Sequence, residues 1–265
     1  MIEHVLDLGN QLKKELETSK DFEVQSYKDL LIVGMGGSGV SGDVLKLVLN
    51  ETTQINVEVR KAYGIPEVTA QRKPKCLFIS YSGNTEETVE AVNDAIKYDL
   101  DWSVISSGGR LLELAIEHNK PFVKVPDGLQ PRAAFGLMTK AVMHYVSPDI
   151  GVDYLEICNQ AGNYLNEILA NQSENELISQ ALQISKEINS KENSQISKRF
   201  ELTKEIIGDK VDISEIENIS SKNIISNLFH LTLIGDLVSV YMADNLNIDP
   251  YDITSIEKLK KLLKG

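Results

Sequence analysis

The sequence has few of the residues that mark a secreted, metal-binding or membrane protein. Only two of its 265 residues are cysteine, Cys76 and Cys158, and they lie far apart. That spacing excludes a disulfide framework and the paired ligands of a zinc site. No apolar run approaches the roughly 18 residues that a membrane-spanning helix needs. We therefore expect buried free thiols, no metal and no contact with a membrane.

Positive charge is also scarce, since the formal net charge is −12. A protein that binds nucleic acid through the phosphate backbone needs a basic surface, so this balance argues against a nucleic-acid partner. A phosphate ligand stays possible, because backbone N–H groups at a helix start bind anions locally. Residues 1–20 are amphipathic and charged, without the apolar segment of a signal peptide. We expect a cytoplasmic protein.

What the first half does contain is an alternation of buried strands and helices. Short apolar runs that end in glycine, serine or proline are typical of strands covered on both faces. Predicted strands are Leu30–Val33, Ile55–Val59, Cys76–Ile79, Trp102–Ile105 and Phe122–Val125. Predicted helices are Val40–Leu49, Glu86–Tyr98, Leu111–His118 and Ala134–Tyr145. This order predicts an α/β fold with a doubly wound parallel sheet, whose ligands bind at the carboxyl ends of the strands.

The rest of the chain is mainly helical by the same reasoning. Residues 3–19 have helical spacing, and Leu228–Met242 is a long apolar helix that must pack against another surface. Lys186–Lys198 is polar and without an apolar face, and Lys210–Ile216 is at most one strand. We predict two domains, residues 1–150 with the sheet and residues 151–265 as a mostly helical second subdomain.

The first motif with chemical meaning is Gly34-Met-Gly36-Gly37-Ser38-Gly39, between a strand and a helix. Glycines let the backbone turn tightly, and the free N–H groups of the helix start face an anion. The motif also fits a dinucleotide-binding fold, and Glu58 lies about where that fold needs an acidic residue. A turn without a ligand is the third interpretation.

The second motif, Ser80-Tyr-Ser-Gly-Asn-Thr-Glu-Glu-Thr88, follows another strand. It places three hydroxyls, those of Ser80, Ser82 and Thr85, around one turn at a helix start. Such hydroxyls and N–H groups can hold the oxygens of a phosphate monoester without a metal. The competing interpretation is that these residues only cap the helix.

The two motifs together resemble those of the sugar isomerase (SIS) domain family. The segment Pro131-Arg132-Ala-Ala-Phe135 narrows the resemblance to the bifunctional phosphoglucose/phosphomannose isomerases of that family. The resemblance implies a flavodoxin-like strand order, sugar phosphates as ligands, a homodimer and no cofactor. It implies that the phosphate is bound by Gly36, Gly37, Ser38, Ser80, Ser82 and Thr85. It further implies that Arg132 stabilises an enediolate and that a C-terminal lysine, best matched by Lys260, reaches the site.

Two groups that the resemblance implies have no match in this sequence. In the family a glutamate transfers the proton and a histidine opens the sugar ring, both from the second half. Lys191-Glu192-Asn193 only faintly resembles the glutamate segment, and His4, His118, His144 and His230 lie in helical segments unlike the family's. Compared with the family that this sequence resembles, several tens of residues are absent around Ser185–Ser197.

Three functions are therefore compatible with the sequence. The first is an aldose–ketose isomerase that interconverts glucose 6-phosphate, and mannose 6-phosphate, with fructose 6-phosphate. The second is a sugar-phosphate-binding or regulatory module without catalysis, favoured by the missing segments. The third is a nucleotide-binding oxidoreductase, which depends on the glycine motif alone.

Overall fold

The computed structural model describes residues 2–19, 27–146, 152–171 and 223–245, together with residues 247, 249, 251, 252 and 254. The chain divides into two compact units. One is Leu8–Tyr164, and the other combines Met1–Asp7 with Leu165–Gly265. The predicted domain boundary at residue 150 falls outside the described residues and stays a prediction.

A six-stranded sheet forms the centre of the unit Leu8–Tyr164. Its strands are β1 (Glu17–Thr18), β2 (Asp29–Gly34), β3 (Asn56–Arg60), β4 (Lys75–Ser80), β5 (Trp102–Ser106) and β6 (Phe122–Lys124). The spatial order is β1-β6-β5-β4-β2-β3. All neighbouring pairs are parallel except β1 with β6, which is antiparallel.

The five parallel strands have the flavodoxin-like order, in which the first strand of the series lies between the second and the third. This confirms the predicted fold class of a doubly wound parallel sheet. The order reverses between β2 and β4, so the crevice where ligands bind in such folds lies between these two strands. The Rossmann order is different, and the structure therefore gives the dinucleotide interpretation no support.

The sheet is covered by helices on both faces. Over the described residues, the helices of the two units together are α1 (Ile2–Leu6), α2 (Leu8–Lys13), α3 (Gly36–Thr52), α4 (Glu67–Ala70), α5 (Glu86–Lys97), α6 (Gly109–Glu117), α7 (Phe135–Val146), α8 (Tyr154–Asn171) and α9 (Ile224–Asn245). Helices α5 and α6 cover one face, where Leu31, Phe78 and Trp102 are fully or almost fully buried. Helices α3 and α7 lie together on the other face. Burial on both faces explains why β2 and β4 are apolar without alternation.

The N-terminal segment differs from the prediction of helical structure over residues 3–19. Helix α2 ends at Lys13, and Glu17–Thr18 forms β1 against the edge of β6. The Ser19 N–H continues this pairing by donating to the Phe122 carbonyl at 3.0 Å. The open hydrogen-bonding groups of an edge strand provide the partner that local helix propensity cannot supply.

In the unit of Met1–Asp7 and Leu165–Gly265, α1 packs against α9. Helix α9 confirms the apolar helix predicted at Leu228–Met242 and extends it at both ends. Phe229, Leu233 and Leu237 recur at helical spacing on its buried side. None of the helices that the structure describes is both long and apolar enough to cross a bilayer.

Candidate functional site

Three loops meet at the carboxyl edge of the sheet. Strand β2 ends at Gly34, which lies opposite Ile79 of β4, and β4 ends at Ser80, which lies opposite Ser106 of β5. The loop after β2 contains the first motif and the loop after β4 contains the second. Because β2 and β4 are adjacent, the two predicted phosphate-binding segments flank the same crevice.

The loop after β2, residues 34–39, exposes backbone rather than side chains. Helix α3 begins at Gly36, whose φ is +51°, and the capping residue Met35 offers no side-chain bond to the helix start. The N–H groups of the first turn of α3 are therefore left for another acceptor. A Cβ built on Gly37 would lie 3.4 Å from the Pro131 carbonyl oxygen, so the Pro131–Phe135 segment lies directly beside this loop.

Ser38 ties the first loop to the second. Its side chain is buried, and its Oγ accepts a bond from the Tyr81 N–H at 3.1 Å. A serine hydroxyl that accepts one bond can still donate its own hydrogen. Ser38 therefore fixes the spacing of the two loops and keeps a donor for a ligand.

In the loop after β4, two of the three predicted hydroxyls are in direct contact, and the third lies on the exposed side of the turn. Ser80 Oγ and Thr85 Oγ1 are 2.8 Å apart, and Ser80 Oγ also accepts the Gly83 N–H at 3.1 Å. Ser82 is exposed, and its Oγ accepts the Asn84 N–H at 3.3 Å. Ser80 is buried and Thr85 is partly buried, whereas Ser82 lies at the surface of the loop.

The start of α5 separates the phosphate interpretation from the capping interpretation. Thr85 occupies the capping position, yet its side chain makes no bond to the helix start. Its hydroxyl contacts Ser80 instead. The capping interpretation therefore does not hold for Thr85, and the first N–H groups of α5 remain available to an anion.

Gly83 makes the close contact between the second and third loops possible. Its φ is +70°, and a Cβ built there would lie 1.8 Å from the Gly108 carbonyl oxygen. The Gly83 carbonyl accepts the Leu111 N–H at 2.9 Å, which joins this loop to the start of α6. The loops after β4 and β5 therefore form one rigid wall of the crevice.

Arg132 lies on a short 3₁₀ turn, Pro131–Ala134, just before α7. The side chain is exposed, and Nη2 donates to Gln130 Oε1 at 3.0 Å. The Arg132 Cα lies 4.0 Å from a Cβ built on Gly37. The structure thus brings Arg132 beside the glycine loop, although the two segments are far apart in sequence.

Tyr81 is a residue of this site that the sequence analysis did not single out. It is buried, and its carbonyl accepts both the N–H and the hydroxyl of Ser107, at 3.0 and 2.6 Å. Its phenol donates to the Pro126 carbonyl at 3.0 Å and accepts the Leu129 N–H at 2.9 Å. Burial raises the pKa of the Tyr81 phenol, which keeps it protonated and able to donate. Its position inside the second motif was the only sequence signal.

Gln11 of α2 is a second residue that the sequence analysis missed. Its side chain is buried, and Nε2 donates to the Ala133 carbonyl at 2.9 Å. Its Oε1 accepts the Leu137 N–H at 3.3 Å. A Cβ built on Gly136 would lie 2.7 Å from the Gln11 Cβ, so only glycine allows α7 this close to α2. Nothing in the sequence marks one buried glutamine among the polar residues of a helix.

The remaining predicted residues lie elsewhere. Lys260 and the segment Lys191–Asn193 fall outside the described residues. Of the predicted packed or solvated histidines, His118 follows α6 at the opposite edge of the sheet from the crevice, and His230 is buried on α9. Over the part of the chain that the structure describes, no cluster of His, Cys, Asp and Glu could hold a metal.

Two protein-family models match the chain. A model of the SIS domain matches residues 23–99, which include both loops of the crevice. A model of the C-terminal SIS domain of bacterial phospho-glucose isomerase matches residues 163–263.

Curated proteins match over nearly the whole chain. A bifunctional phosphoglucose/phosphomannose isomerase of Thermoplasma acidophilum is 28% identical, with 95% of this chain and 97% of that protein covered. A D-glucosamine-6-phosphate 4-epimerase of Sulfolobus acidocaldarius is 24% identical, with 90% of each covered. The alignment with the Thermoplasma acidophilum protein spans 313 positions, whereas this chain has 265 residues. At least 48 residues of that relative therefore have no counterpart in this chain. The length supports the predicted shortening, whose place near Ser185–Ser197 stays a prediction.

Solved structures show the same fold at lower identity. The C-terminal domain of glucosamine-fructose-6-phosphate aminotransferase from Francisella tularensis superposes with a TM-score of 0.56. It is 13% identical, and the match covers 90% of this chain and 95% of that one. This likeness is one of fold.

Proposed function

Because the chain belongs to the sugar isomerase (SIS) domain family, we propose that it isomerises sugar phosphates. The reaction is the interconversion of glucose 6-phosphate with fructose 6-phosphate, and mannose 6-phosphate is a further substrate. The name of the Thermoplasma acidophilum relative, which aligns over almost all of both chains, supports this substrate class. The chemistry is an internal oxidation and reduction of the sugar and needs no metal or nucleotide.

The observation that carries the proposal is the phosphate cradle, defined as residues 34–39 with residues 80–85. Two helix starts without side-chain caps, those of α3 and α5, follow the adjacent strands β2 and β4 at the carboxyl edge of the sheet. The hydroxyls of Ser38, Ser82 and Thr85 lie around the same crevice. Backbone donors and hydroxyls together suit a phosphate monoester, while Gly36, whose Cβ position has no neighbour within 4 Å, leaves room for its approach.

Arg132 supports the isomerase over a binding module without catalysis. Aldose–ketose exchange passes through an enediolate, in which negative charge develops on the oxygens of C1 and C2. A guanidinium stays charged and offers two donors to adjacent oxygens. The turn that bears Arg132 lies beside Gly37 of the cradle, so a sugar attached to a phosphate there would be within reach of this turn.

The reaction also needs a base that carries the proton between C2 and C1, and an acid that opens the ring. We place both in the second half of the chain, where the C-terminal SIS model matches. Lys260 lies in that matched segment and is the proposed second catalytic residue. A Glu→Gln and Asp→Asn scan of residues 151–265, read by kcat, tests this assignment.

A homodimer is part of the proposal, because the resemblance implies a site completed across two chains. Light scattering at the concentration of the activity assay measures the oligomeric state. An active monomer would overturn the shared site and leave the isomerase function standing.

The proposal is tested by the conversion of fructose 6-phosphate to glucose 6-phosphate, coupled to NADP⁺ reduction by glucose-6-phosphate dehydrogenase. Arg132→Ala is purified in parallel, since activity from a contaminating host isomerase would survive the substitution. We expect turnover by the wild type and nearly none by the variant. Mannose 6-phosphate is then tested with its own coupling enzyme.

Thermal stabilisation by fructose 6-phosphate separates the other outcomes. Stabilisation without turnover would identify a binding module and overturn the isomerase proposal. Turnover of glucosamine 6-phosphate alone would instead point to the reaction named for the Sulfolobus acidocaldarius relative. If fructose 6-phosphate gives no stabilisation and no turnover, the assignment of the cradle itself is overturned.

A further inference from the structure

An irregular segment precedes the turn that bears Arg132. Strand β6 ends at Lys124, and residues 125–130 form neither helix nor strand before the Pro131–Ala134 turn begins. Loops of this kind have few hydrogen bonds of their own to hold a side chain in one place. The position of Arg132 therefore depends also on contacts that other elements make with this segment.

Tyr81 holds the upstream side of the turn. Its phenol bonds to the Pro126 carbonyl and the Leu129 N–H, so two points of the connection are fixed by one buried side chain. The backbone of Tyr81 is itself held by Ser38 and Ser107. Through Tyr81, the segment that leads to Arg132 is thus hydrogen-bonded to the second loop of the proposed cradle.

Gln11 holds the downstream side. Its amide bonds to the Ala133 carbonyl and the Leu137 N–H, on either side of the junction between the turn and α7. Tyr81 is 5% exposed and Gln11 is 3% exposed. Polar groups buried to this extent destabilise the fold unless they are hydrogen-bonded, and both side chains form hydrogen bonds to this one segment.

We propose that Tyr81 and Gln11 are positioning residues for Arg132. They fix the turn from both sides and act on the reaction only through that arginine. This inference rests on the proposed function, because a rate effect requires Arg132 to act in isomerisation. Neither side chain is expected to touch the sugar phosphate.

The kinetic test compares Tyr81→Phe and Gln11→Leu with the wild type. Each variant should lower kcat by about tenfold or more, because a displacement of about 1 Å can cost a hundredfold in rate. The dissociation constant of inorganic phosphate should stay within about twofold, since neither substitution removes the backbone N–H groups of the cradle or the hydroxyls of Ser38, Ser82 and Thr85. Tyr98→Phe, at the far end of α5, is the matched control and should change neither quantity. A loss confined to phosphate binding would overturn the proposal.

A double-mutant cycle with Arg132→Ala tests whether the effect passes through the arginine. Once Arg132 is absent, Tyr81→Phe and Gln11→Leu should cause no further loss of kcat. An equal loss in both backgrounds would show independent roles and overturn the proposal. If urea denaturation shows that Gln11→Leu does not fold, Gln11→Met replaces it, because methionine keeps the length of the side chain and lacks the amide that bonds to Ala133 and Leu137.

A third measurement does not depend on activity. Hydrogen exchange of the Leu129 amide should be faster in Tyr81→Phe, and that of the Leu137 amide faster in Gln11→Leu, with Tyr98→Phe unchanged. A wild type without turnover would overturn the proposed function, while this exchange experiment still tests the two anchors. Unchanged exchange at Leu129 and Leu137 would overturn the anchors themselves.

Discussion

The phosphate cradle and the Arg132 turn are held in place in different ways. The cradle consists of short loops that follow β2 and β4 directly, so the sheet fixes its geometry through the backbone. The Arg132 turn has no strand immediately before it and depends on two buried side chains from other elements. The proposed phosphate-binding groups are thus placed by topology, whereas the turn of the proposed catalytic Arg132 is held by long-range hydrogen bonds. Substitutions in the cradle should therefore change stability or phosphate binding, and a substitution of Arg132 should change kcat.

The largest effect should be the loss of stability caused by Gly83→Ala, which disturbs the backbone of the cradle. The new Cβ would lie 1.8 Å from the Gly108 carbonyl oxygen, and the φ of +70° is unfavourable for alanine. We expect a loss of more than about 4 kcal/mol in the free energy of unfolding, measured by urea denaturation. Gly36→Ala is the matched control: its φ is +51° but its Cβ meets nothing within 4 Å, so about 1 kcal/mol should be lost. Equal losses would contradict the steric argument.

Arg132→Ala attacks the other region and should leave the fold intact, because the side chain is exposed. Removal of a donor that acts on developing negative charge lowers kcat by roughly 100- to 1000-fold. The dissociation constant of inorganic phosphate should change little. Arg72→Ala is the control, since Arg72 is also partly exposed and pairs with Glu58 on β3. A loss in phosphate binding without a loss in kcat would make Arg132 a ground-state contact.

Thr85→Val should show the opposite pattern to Arg132→Ala. It removes one hydroxyl from the cradle at nearly constant volume, so phosphate binding should weaken by about tenfold while kcat stays nearly the same. Calorimetric titration with inorganic phosphate measures the first quantity and the coupled assay the second. Thr53→Val, whose hydroxyl bonds to the Leu49 carbonyl at the far end of α3, should leave both unchanged. If kcat falls as much as affinity, the division between binding and chemistry is not as clean as proposed.

The smallest expected effect concerns the two buried cysteines, Cys76 and Cys158. Burial raises the pKa of the Cys76 thiol, and likewise that of Cys158, to about 12. Neither should react with iodoacetamide at pH 8 in the folded protein, as judged by mass spectrometry, and both should react in urea. Fast labelling of the native protein would show that the core opens readily.

The same shift sets the direction of a pH effect on stability. Unfolded thiols ionise near pH 8.5, whereas the folded ones keep their protons until about pH 12. Between these values the unfolded state binds fewer protons, so the free energy of unfolding should fall as the pH rises. Cys76→Ala should reduce that slope.

The cradle could be predicted from sequence because its chemistry is local. A strand, a turn rich in glycine or hydroxyls and a helix start are contiguous, and the alternation of strands and helices places such turns at one edge of the sheet. The supports of Arg132 could not be predicted in this way. Gln11 lies far from Ala133 in the chain, and only the packing of α2 against α7 brings them together. The strand at Glu17–Thr18 was missed for the same reason, because its partner is remote.

The two-residue strand β1 has a consequence for the behaviour of the protein in crowded solution. By pairing with β6 it occupies backbone groups that another chain could otherwise use to extend the sheet. The ion pair between Glu17 and Lys124 adds charge at the same edge, with 3.3 Å between its atoms. At the opposite edge, β3 bears Glu58 and Arg60, which are engaged by Arg72 and by the Gly64 carbonyl. Short pairing on one side and charge on the other make the sheet a poor template for aggregation.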